Sequence, residues 1–178
     1  MNSKGITLIE LLLVISIIGI LVIALGFSFV GWQGRYKVEK TTKDLYSDLM
    51  DARTRAMSRN ATFLADFNTP APPAGFGTYR IAGDTNGNSA INAGEPLPTF
   101  PKTVEYVINW DGGGTISFSN RGTVTFPAMD PNNPCSLGGP GVISFTSTVN
   151  PDYDCICIEQ TRIKMGLMNV PNPGCNEK

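Results

Sequence analysis

Three groups of residues in this sequence could do chemistry: a carboxylate inside an apolar run, four cysteines, and a loop rich in aspartate and asparagine. Histidine, the commonest general base and metal ligand, is absent from all 178 residues. Ser-His and Cys-His nucleophile pairs are therefore excluded. No phosphate-binding loop occurs either. The sequence predicts a protein that is not an enzyme and has no catalytic residues.

The carboxylate belongs to Glu10, the only charged residue between Ile6 and Gly34. An ionisable group inside an apolar segment costs roughly a few kcal/mol unless it is paired, so Glu10 is expected to be functional. The uncharged run from Leu11 to Gly34 would reach about 36 Å as a helix, which is enough to cross a bilayer. An uncleaved signal anchor is the plain alternative for this segment. A cleavable secretory signal fits poorly because large residues continue to Trp32.

The four cysteines, Cys135, Cys155, Cys157 and Cys175, lie in the C-terminal quarter of the chain. An even number beyond a membrane segment favours disulfides. Cys155 and Cys157 would face the same side of a strand, so a bridge between them would be strained and each should pair outward. Their partners are then Cys135 and Cys175, in either order. A zinc site of four thiolates is the alternative, but the spacing lacks the usual two-residue gaps.

The loop from Asp84 to Glu95 can be aligned with a twelve-residue calcium-binding loop. Its candidate ligands are Asp84, Asn86, Asn88 and Glu95. Against this interpretation, Ser89 stands where such loops carry glycine, and only two of the ligands are anionic. A polar turn between strands is the alternative. Calcium is the one cofactor that the sequence leaves open.

A helical pattern begins before residue 35 and continues to about Asn60, without glycine or proline beyond residue 34. Apolar or small residues recur there at helical spacing, at Val38, Leu45, Leu49, Ala52 and Ala56. We therefore expect one helix over residues 6–60, with a lipid-facing first half and a second half packed on a sheet. The basic residues on its other face are either solvated or in contact with headgroups or a neighbouring subunit.

Beyond Asn60 the sequence changes to short strand-like runs separated by turns, and all thirteen prolines lie there. Candidate strands are Ala61–Phe67, Gly77–Ile81, Val104–Trp110, Thr115–Ser119, Thr123–Phe126, Val142–Thr148 and Cys155–Lys164. They predict antiparallel hairpins packed on the helix in an α+β domain of residues 61–178. Asp111–Gly114 predicts a hairpin turn.

The segment Lys4-Gly5-Ile6-Thr7-Leu8-Ile9-Glu10-Leu11-Leu12 resembles the class III signal of type IV prepilins and pseudopilins. The resemblance implies that residues 1–5 are a leader, which a membrane aspartyl peptidase removes by cutting between Gly5 and Ile6. Ile6 would then be N-methylated, and Glu10 would pair with the N-terminal amine of a neighbouring subunit. Such pairing offsets the cost of burying each charge alone.

Two residues depart from the family pattern. Ile6 stands where the family usually has phenylalanine, and Phe27 stands where many major pilins have proline. The helix should therefore run without a proline break. Residues 6–34 would be the transmembrane and filament-core segment, and residues 35–60 the amphipathic second half of the helix.

Three further segments resemble the GspH/FimT branch of pseudopilins and minor pilins: residues 44–56, 83–97 and 116–123. The resemblance implies a pilin-like fold and a minor pseudopilin of a type II secretion pseudopilus, which serves protein secretion across the outer membrane. A minor pilin of a type IV pilus, acting in assembly initiation, adhesion, motility or DNA uptake, is the alternative.

The resemblance also implies partners and a location. The partners would be other pilin-like subunits, the prepilin peptidase and inner-membrane lipid, with secreted cargo as a further candidate. The protein would cross the inner membrane once, with its C-terminal domain in the periplasm. Residues 60–178 carry six basic and ten acidic residues, which argues against nucleic acid as a partner.

Overall fold

One long helix and ten strands make up the described part of the chain. The computed structural model describes residues 5–68, 71–92, 95, 99–135, 138–168 and 174–177, without the side chains of residues 24–30, 99, 100 and 177. The helix, α1, spans Leu8–Arg59. The strands are β1 (Thr62–Phe67), β2 (Gly77–Asp84), β3 (Thr99–Val104), β4 (Ile108–Trp110), β5 (Ile116–Phe118), β6 (Val124–Thr125), β7 (Val142–Phe145), β8 (Cys155–Ile158), β9 (Ile163–Met168) and β10 (Cys175–Glu177).

Both ends of α1 are capped by residues suited to that position. The Thr7 side chain accepts the amide of Glu10, and the Glu10 side chain accepts the amide of Thr7, which together form a capping box. Asn60 ends the helix in the left-handed conformation, with φ 52° and its amide on the Ala56 carbonyl. The helix predicted over residues 6–60 is thus confirmed to within two residues at each end.

The first half of α1 stands clear of the folded domain, and every side chain from Gly5 to Ile23 is exposed. Among the residues that the structure describes, no helix is both long enough and apolar enough to cross a membrane. The predicted transmembrane segment, residues 6–34, includes residues 24–30, whose side chains lie outside the described part. The membrane span therefore stays a prediction.

The second half of α1 supplies one wall of the core. The five stripe residues predicted from helical spacing are each no more than 1 % exposed: Val38, Leu45, Leu49, Ala52 and Ala56. They pack in one cluster with side chains of both sheets, among them Phe118 and Ile156. The helix contacts β1 and β5 on one side and β8 and β9 on the other. This arrangement confirms the predicted α+β fold, a long N-terminal helix packed on antiparallel strands.

The strands form two five-stranded sheets. The order is β3-β2-β1-β5-β6 in the first sheet and β10-β9-β8-β7-β4 in the second. All pairs are antiparallel. The amide of Val124 in β6 donates to the carbonyl of Gln160 in the β8–β9 turn at 2.8 Å, which joins the two sheets at one end.

Four of the predicted strands are wrong in extent. Gly77–Ile81 is too short, because β2 continues to Asp84, and Val142–Thr148 is too long, because β7 ends at Phe145. Val104–Trp110 is not one strand, because residues 105–107 separate the end of β3 from β4. Cys155–Lys164 is two strands, β8 and β9, joined by a turn in which the Glu159 amide donates to the Arg162 carbonyl at 2.8 Å. The physical reason is the polar run of residues 159–162, which interrupts the apolar pattern. Strand β10 was not predicted, nor was β3 apart from its last residue, Val104.

Asp111–Gly114 is not the hairpin turn that the sequence predicts. It connects β4 to β5, and these strands belong to different sheets. The Trp110 indole N–H donates to the Gly114 carbonyl at 2.6 Å and stabilises this connection between the two sheets. A Cβ at Gly112 would lie 2.0 Å from the Trp110 ring, so this close packing requires glycine. A glycine-rich run shows that the chain reverses but not which strand it joins next.

The disulfides brace the face of the second sheet that points away from α1. They join Cys135 to Cys157 and Cys155 to Cys175, with Cα atoms 5.7 and 5.9 Å apart. In β8 the two cysteines alternate with Ile156 and Ile158, so the cysteines face one side and the isoleucines face the α1 core. The outward pairing is confirmed. All four thiols are bridged, so none is free to bind zinc as the alternative requires.

Arg53 ties α1 to the end of both sheets. Its Nε donates to the Gly122 carbonyl at 2.7 Å in the β5–β6 turn. A second guanidinium nitrogen donates to the Thr161 carbonyl at 3.0 Å in the β8–β9 turn. Hydrogen bonds from a charged donor to neutral acceptors are among the stronger ones in proteins, so this side chain should contribute to stability.

We predict that Arg53→Ala lowers the free energy of unfolding of residues 35–178 by about 2 kcal/mol, because two turns lose a charged donor. The matched control is Arg55→Ala, two positions away, which removes only the i, i+4 pair with Asp51 at 2.6 Å. That loss should cost about 0.3–0.5 kcal/mol. Urea unfolding monitored by circular dichroism measures both values. Equal values for the two variants would contradict the assignment.

Candidate functional site

Gly5 and Ile6 lie just before α1, outside regular secondary structure. Both residues are exposed, and the Thr7 cap that follows is extended, with φ −80° and ψ 150°. Among the described residues, apart from its neighbours in the chain, no atom lies within 4 Å of the position that a Cβ on Gly5 would occupy. The fold therefore places no steric demand for glycine there.

Glu10 lies in the first turn of α1, where the partial positive charge of the helix end favours a carboxylate. One carboxylate oxygen, Oε2, accepts the Thr7 amide at 3.3 Å and the Thr7 hydroxyl at 3.1 Å. The Thr7 hydroxyl oxygen accepts the Glu10 amide at 3.3 Å. These bonds are long and exposed, so the carboxylate is held in place but stays open to a stronger cationic donor.

Thr7 was not singled out in the sequence, although the pattern was visible there. A threonine followed three residues later by glutamate, just before an apolar run, is the signature of a capping box. Its role here is to hold the Glu10 side chain against the helix end. Cleavage after Gly5 would leave this capping box intact, because both of its residues lie beyond the cut.

The apolar surface next to Glu10 is uncovered. Large side chains around the whole circumference of the helix are half to four-fifths exposed, from Leu8 at 80 % to Ile23 at 66 %. A continuous apolar surface of this extent marks contact with lipid or with other protein chains. We call this exposed part of α1, Leu8–Ile23, the apolar rod. The candidate site is the Glu10 carboxylate near the start of the rod, which can form an ion pair with a cationic group of a partner.

The folded domain meets α1 through a few polar contacts just above this rod. Lys37 pairs with Glu105 at 3.0 Å, and this hydrogen bond raises the pKa of the Lys37 ammonium. Glu39 accepts the Asp152 amide at 3.1 Å. The buried Thr42 hydroxyl contacts the Tyr153 carbonyl at 3.3 Å. The loops that follow β3 and β7 thus form the base of the domain around the helix.

Asp48 lies on one side of α1 and accepts hydrogen bonds from side chains of two strands. The Tyr79 hydroxyl of β2 donates to Asp48 Oδ2 at 2.6 Å, and the Lys102 ammonium of β3 pairs with the same oxygen. Burial and the hydrogen bond to Asp48 raise the pKa of Tyr79 well above its usual range. The hydroxyl therefore stays a donor, and the edge strand β3 is fixed to the helix.

Of the four candidate calcium ligands, Asp84 ends β2 and the other three lie in the loop after it, and each accepts amides of this loop. Asp84 accepts Gly87 at 2.7 Å and Ser89 at 3.0 Å, and Asn86 accepts Asn88 at 3.0 Å. Asn88 in turn accepts the Ala90 amide at 2.9 Å. Such bonds are those of a polar turn, as the alternative interpretation expects.

Two features of this loop nevertheless agree with a cation site. Ser89 has φ 59°, which is the left-handed conformation that makes glycine usual at that position of a calcium loop. Glu95 is only 7 % exposed and accepts the amides of Thr85 at 3.3 Å and Asn92 at 2.8 Å. Residues 93, 94 and 96–98 lie outside the described part of the chain.

Comparison with known protein families assigns both parts of the chain. A family model described as the prokaryotic N-terminal methylation motif matches residues 1–26. A second model, described as the type II transport protein GspH, matches residues 41–161. Neither the curated proteins nor the solved structures contain a significant match.

The two matches support a minor pilin or pseudopilin role, with a membrane-anchoring N-terminal motif. Subunits of this kind assemble with other pilins in a filament, and the prepilin motif implies processing by a peptidase. The GspH family is structural rather than catalytic. Because the second match covers more than half of the sequence, and the first covers the motif that the sequence analysis identified, the chain belongs to the GspH family of pilin-like type II transport proteins.

Proposed function

We propose that this protein is a minor pseudopilin, a non-enzymatic structural subunit of the type II secretion filament that moves proteins across the outer membrane. The observation that carries the proposal is an exposed carboxylate, Glu10, at the end of an uncovered apolar helix. The description of the matched family, a type II transport protein, favours secretion. A minor pilin of a type IV pilus would use the same helix and the same carboxylate.

The proposed first step is removal of residues 1–5 by the prepilin peptidase. The cut between Gly5 and Ile6 falls in exposed chain before the helix begins. It turns the Ile6 nitrogen into an α-ammonium, which is then N-methylated and keeps its positive charge. The open space around Gly5 supports this step, because the glycine is then a requirement of the peptidase and not of the fold.

The proposed second step pairs Glu10 of one subunit with the Ile6 ammonium of a neighbour. Inside a filament both charges would lie among apolar helices, where an unpaired charge costs several kcal/mol. Pairing removes that cost only in one register of neighbouring helices. The carboxylate would therefore select the register as well as stabilise it, and the Thr7 capping box would hold it ready at the helix end.

Before assembly, we propose that residues 6–34 cross the inner membrane once and that residues 35–178 lie in the periplasm. Lipid then covers the apolar rod, and helices of neighbouring subunits replace the lipid in the filament. The two disulfides suit an oxidising compartment such as the periplasm. The partners are other pilin-like subunits, the peptidase and inner-membrane lipid, and secreted cargo is a further partner to test.

We predict that Glu10→Gln lowers incorporation of the protein into sheared filaments by at least about tenfold, because an ammonium is then buried without its counter-charge. The control is Glu105→Gln, which removes an exposed carboxylate of the domain base. Quantitative immunoblotting of sheared filaments against whole membranes measures incorporation. Wild-type incorporation of the Glu10 variant, at equal membrane levels, would contradict the pairing.

We also propose that the loop of residues 84–95 binds calcium weakly, with a dissociation constant of about 0.1–1 mM, because it offers two carboxylates and several amide oxygens. Calorimetric titration of residues 35–178 tests this. Asp84→Asn should abolish the heat of binding. Asp130→Asn, in a loop where Asp130 also accepts a nearby amide at 2.9 Å, should not change it. The absence of heat at millimolar calcium would contradict the proposal.

A further inference from the structure

Two exposed aromatic rings lie on α1 between the apolar rod and the folded domain. Trp32 and Tyr36 are one turn apart on α1, and their rings stack with centroids 5.9 Å apart. Trp32 is 61 % exposed and Tyr36 is 56 % exposed. The domain begins beside them, since a Cβ on Gly34 would lie 3.0 Å from Val149 Cγ1. Neither ring belongs to the α1 core.

The charges on the same turns are mainly positive. Arg35 and Lys40 are exposed, and Lys37 is paired with Glu105 of the domain base. Glu39 lies on the same helix face as Trp32 and Arg35, and its charge is paired with Lys43 at 3.6 Å. Tryptophan and tyrosine collect at the boundary between hydrocarbon and headgroups, and arginine and lysine bind lipid phosphates. The composition of residues 32–40 is therefore that of a membrane-interface anchor.

The distance from this pair to the carboxylate matches a bilayer. Glu10 and Trp32 are 22 residues apart, which is about 33 Å along a helix. The hydrocarbon core of a bilayer is about 30 Å thick. If the aromatic pair lies at the outer boundary, Glu10 reaches the inner boundary and not the hydrocarbon.

We propose, on the basis of the membrane insertion proposed above, that Trp32 and Tyr36 anchor the unassembled subunit in the outer headgroup layer and thereby hold Glu10 in the inner one. In the unassembled subunit, the Glu10 carboxylate and the Ile6 ammonium would then both lie in the polar headgroup layer. The cost of burying them arises only when the subunit moves into the filament, where each finds its partner.

A phospholipid surface fits this turn better than a second copy of the chain does. Arg35 and Lys40 of two copies would face each other with like charge, whereas lipid phosphates supply the opposite charge. The two rings also offer an apolar body and a polar edge, which suits the boundary layer of a bilayer.

The test uses the full chain in vesicles of phosphatidylethanolamine and phosphatidylglycerol that carry bromine either near the headgroup or near the bilayer centre. The chain has two tryptophans, so Trp110→Phe leaves the emission of Trp32 alone. Shallow bromines should quench that emission at least about twofold more than deep bromines, as an interfacial ring requires. The control is Trp32→Phe, in which only Trp110 in the domain emits and neither bromine should quench. Subtracting this control from the unaltered protein gives the same result if Trp110→Phe fails to fold.

Carbonate extraction of the same vesicles separates the two proposals. Extraction of the protein would overturn both membrane insertion and the anchor. A resistant protein whose Trp32 is quenched equally or more by deep bromines would overturn the anchor alone. The same holds for a resistant protein whose Trp32 neither bromine quenches, because that ring would then be covered by protein.

Discussion

Glu10 is a charge at the end of an apolar rod, and the rest of the molecule is arranged so that this rod stays uncovered. A helix of 52 residues could have buried its apolar first half against the strands. Instead the domain packs only against the stripe from Val38 to Ala56, and the apolar rod stays exposed. An exposed surface of this kind would be a liability in a soluble protein, and in a filament subunit it is the surface that assembly covers.

The second half of α1 completes the core of the domain, and several contacts fix it there. The stripe packs between two sheets, Arg53 joins the helix to a turn of each, and Asp48 fixes the edge strand β3. The disulfides then secure the face of the second sheet that the helix does not reach. These contacts hold the domain together without any contribution from the apolar rod.

The elements with a clear period could be predicted from the sequence. The helix stripe follows a 3.6-residue repeat, and residues such as Leu45 and Leu49 are buried as the repeat requires. Most strands lie within their predicted runs because alternation and turn residues mark them. The N-terminal motif could be recognised because its carboxylate is out of place in an apolar run.

What the sequence does not show are pairings between distant segments. Cys155 and Cys157 have two equally acceptable pairings, and only the packing of the tail decides between them. The break between β8 and β9 depends on a turn that also supplies the carbonyl for Arg53. The path of Asp111–Gly114 depends on which sheet receives β5. These are tertiary choices, and local propensity does not determine them.

The most direct measurement is the mass of the N-terminal peptide of the protein isolated from bacterial envelopes. The account predicts a chain that starts at Ile6 and carries one additional methyl group on its terminal nitrogen. In the proposed pairing, the freed ammonium is the partner of Glu10. A protein that still begins at Met1 in assembled filaments would contradict the account, because Glu10 would then have no terminal ammonium to pair with.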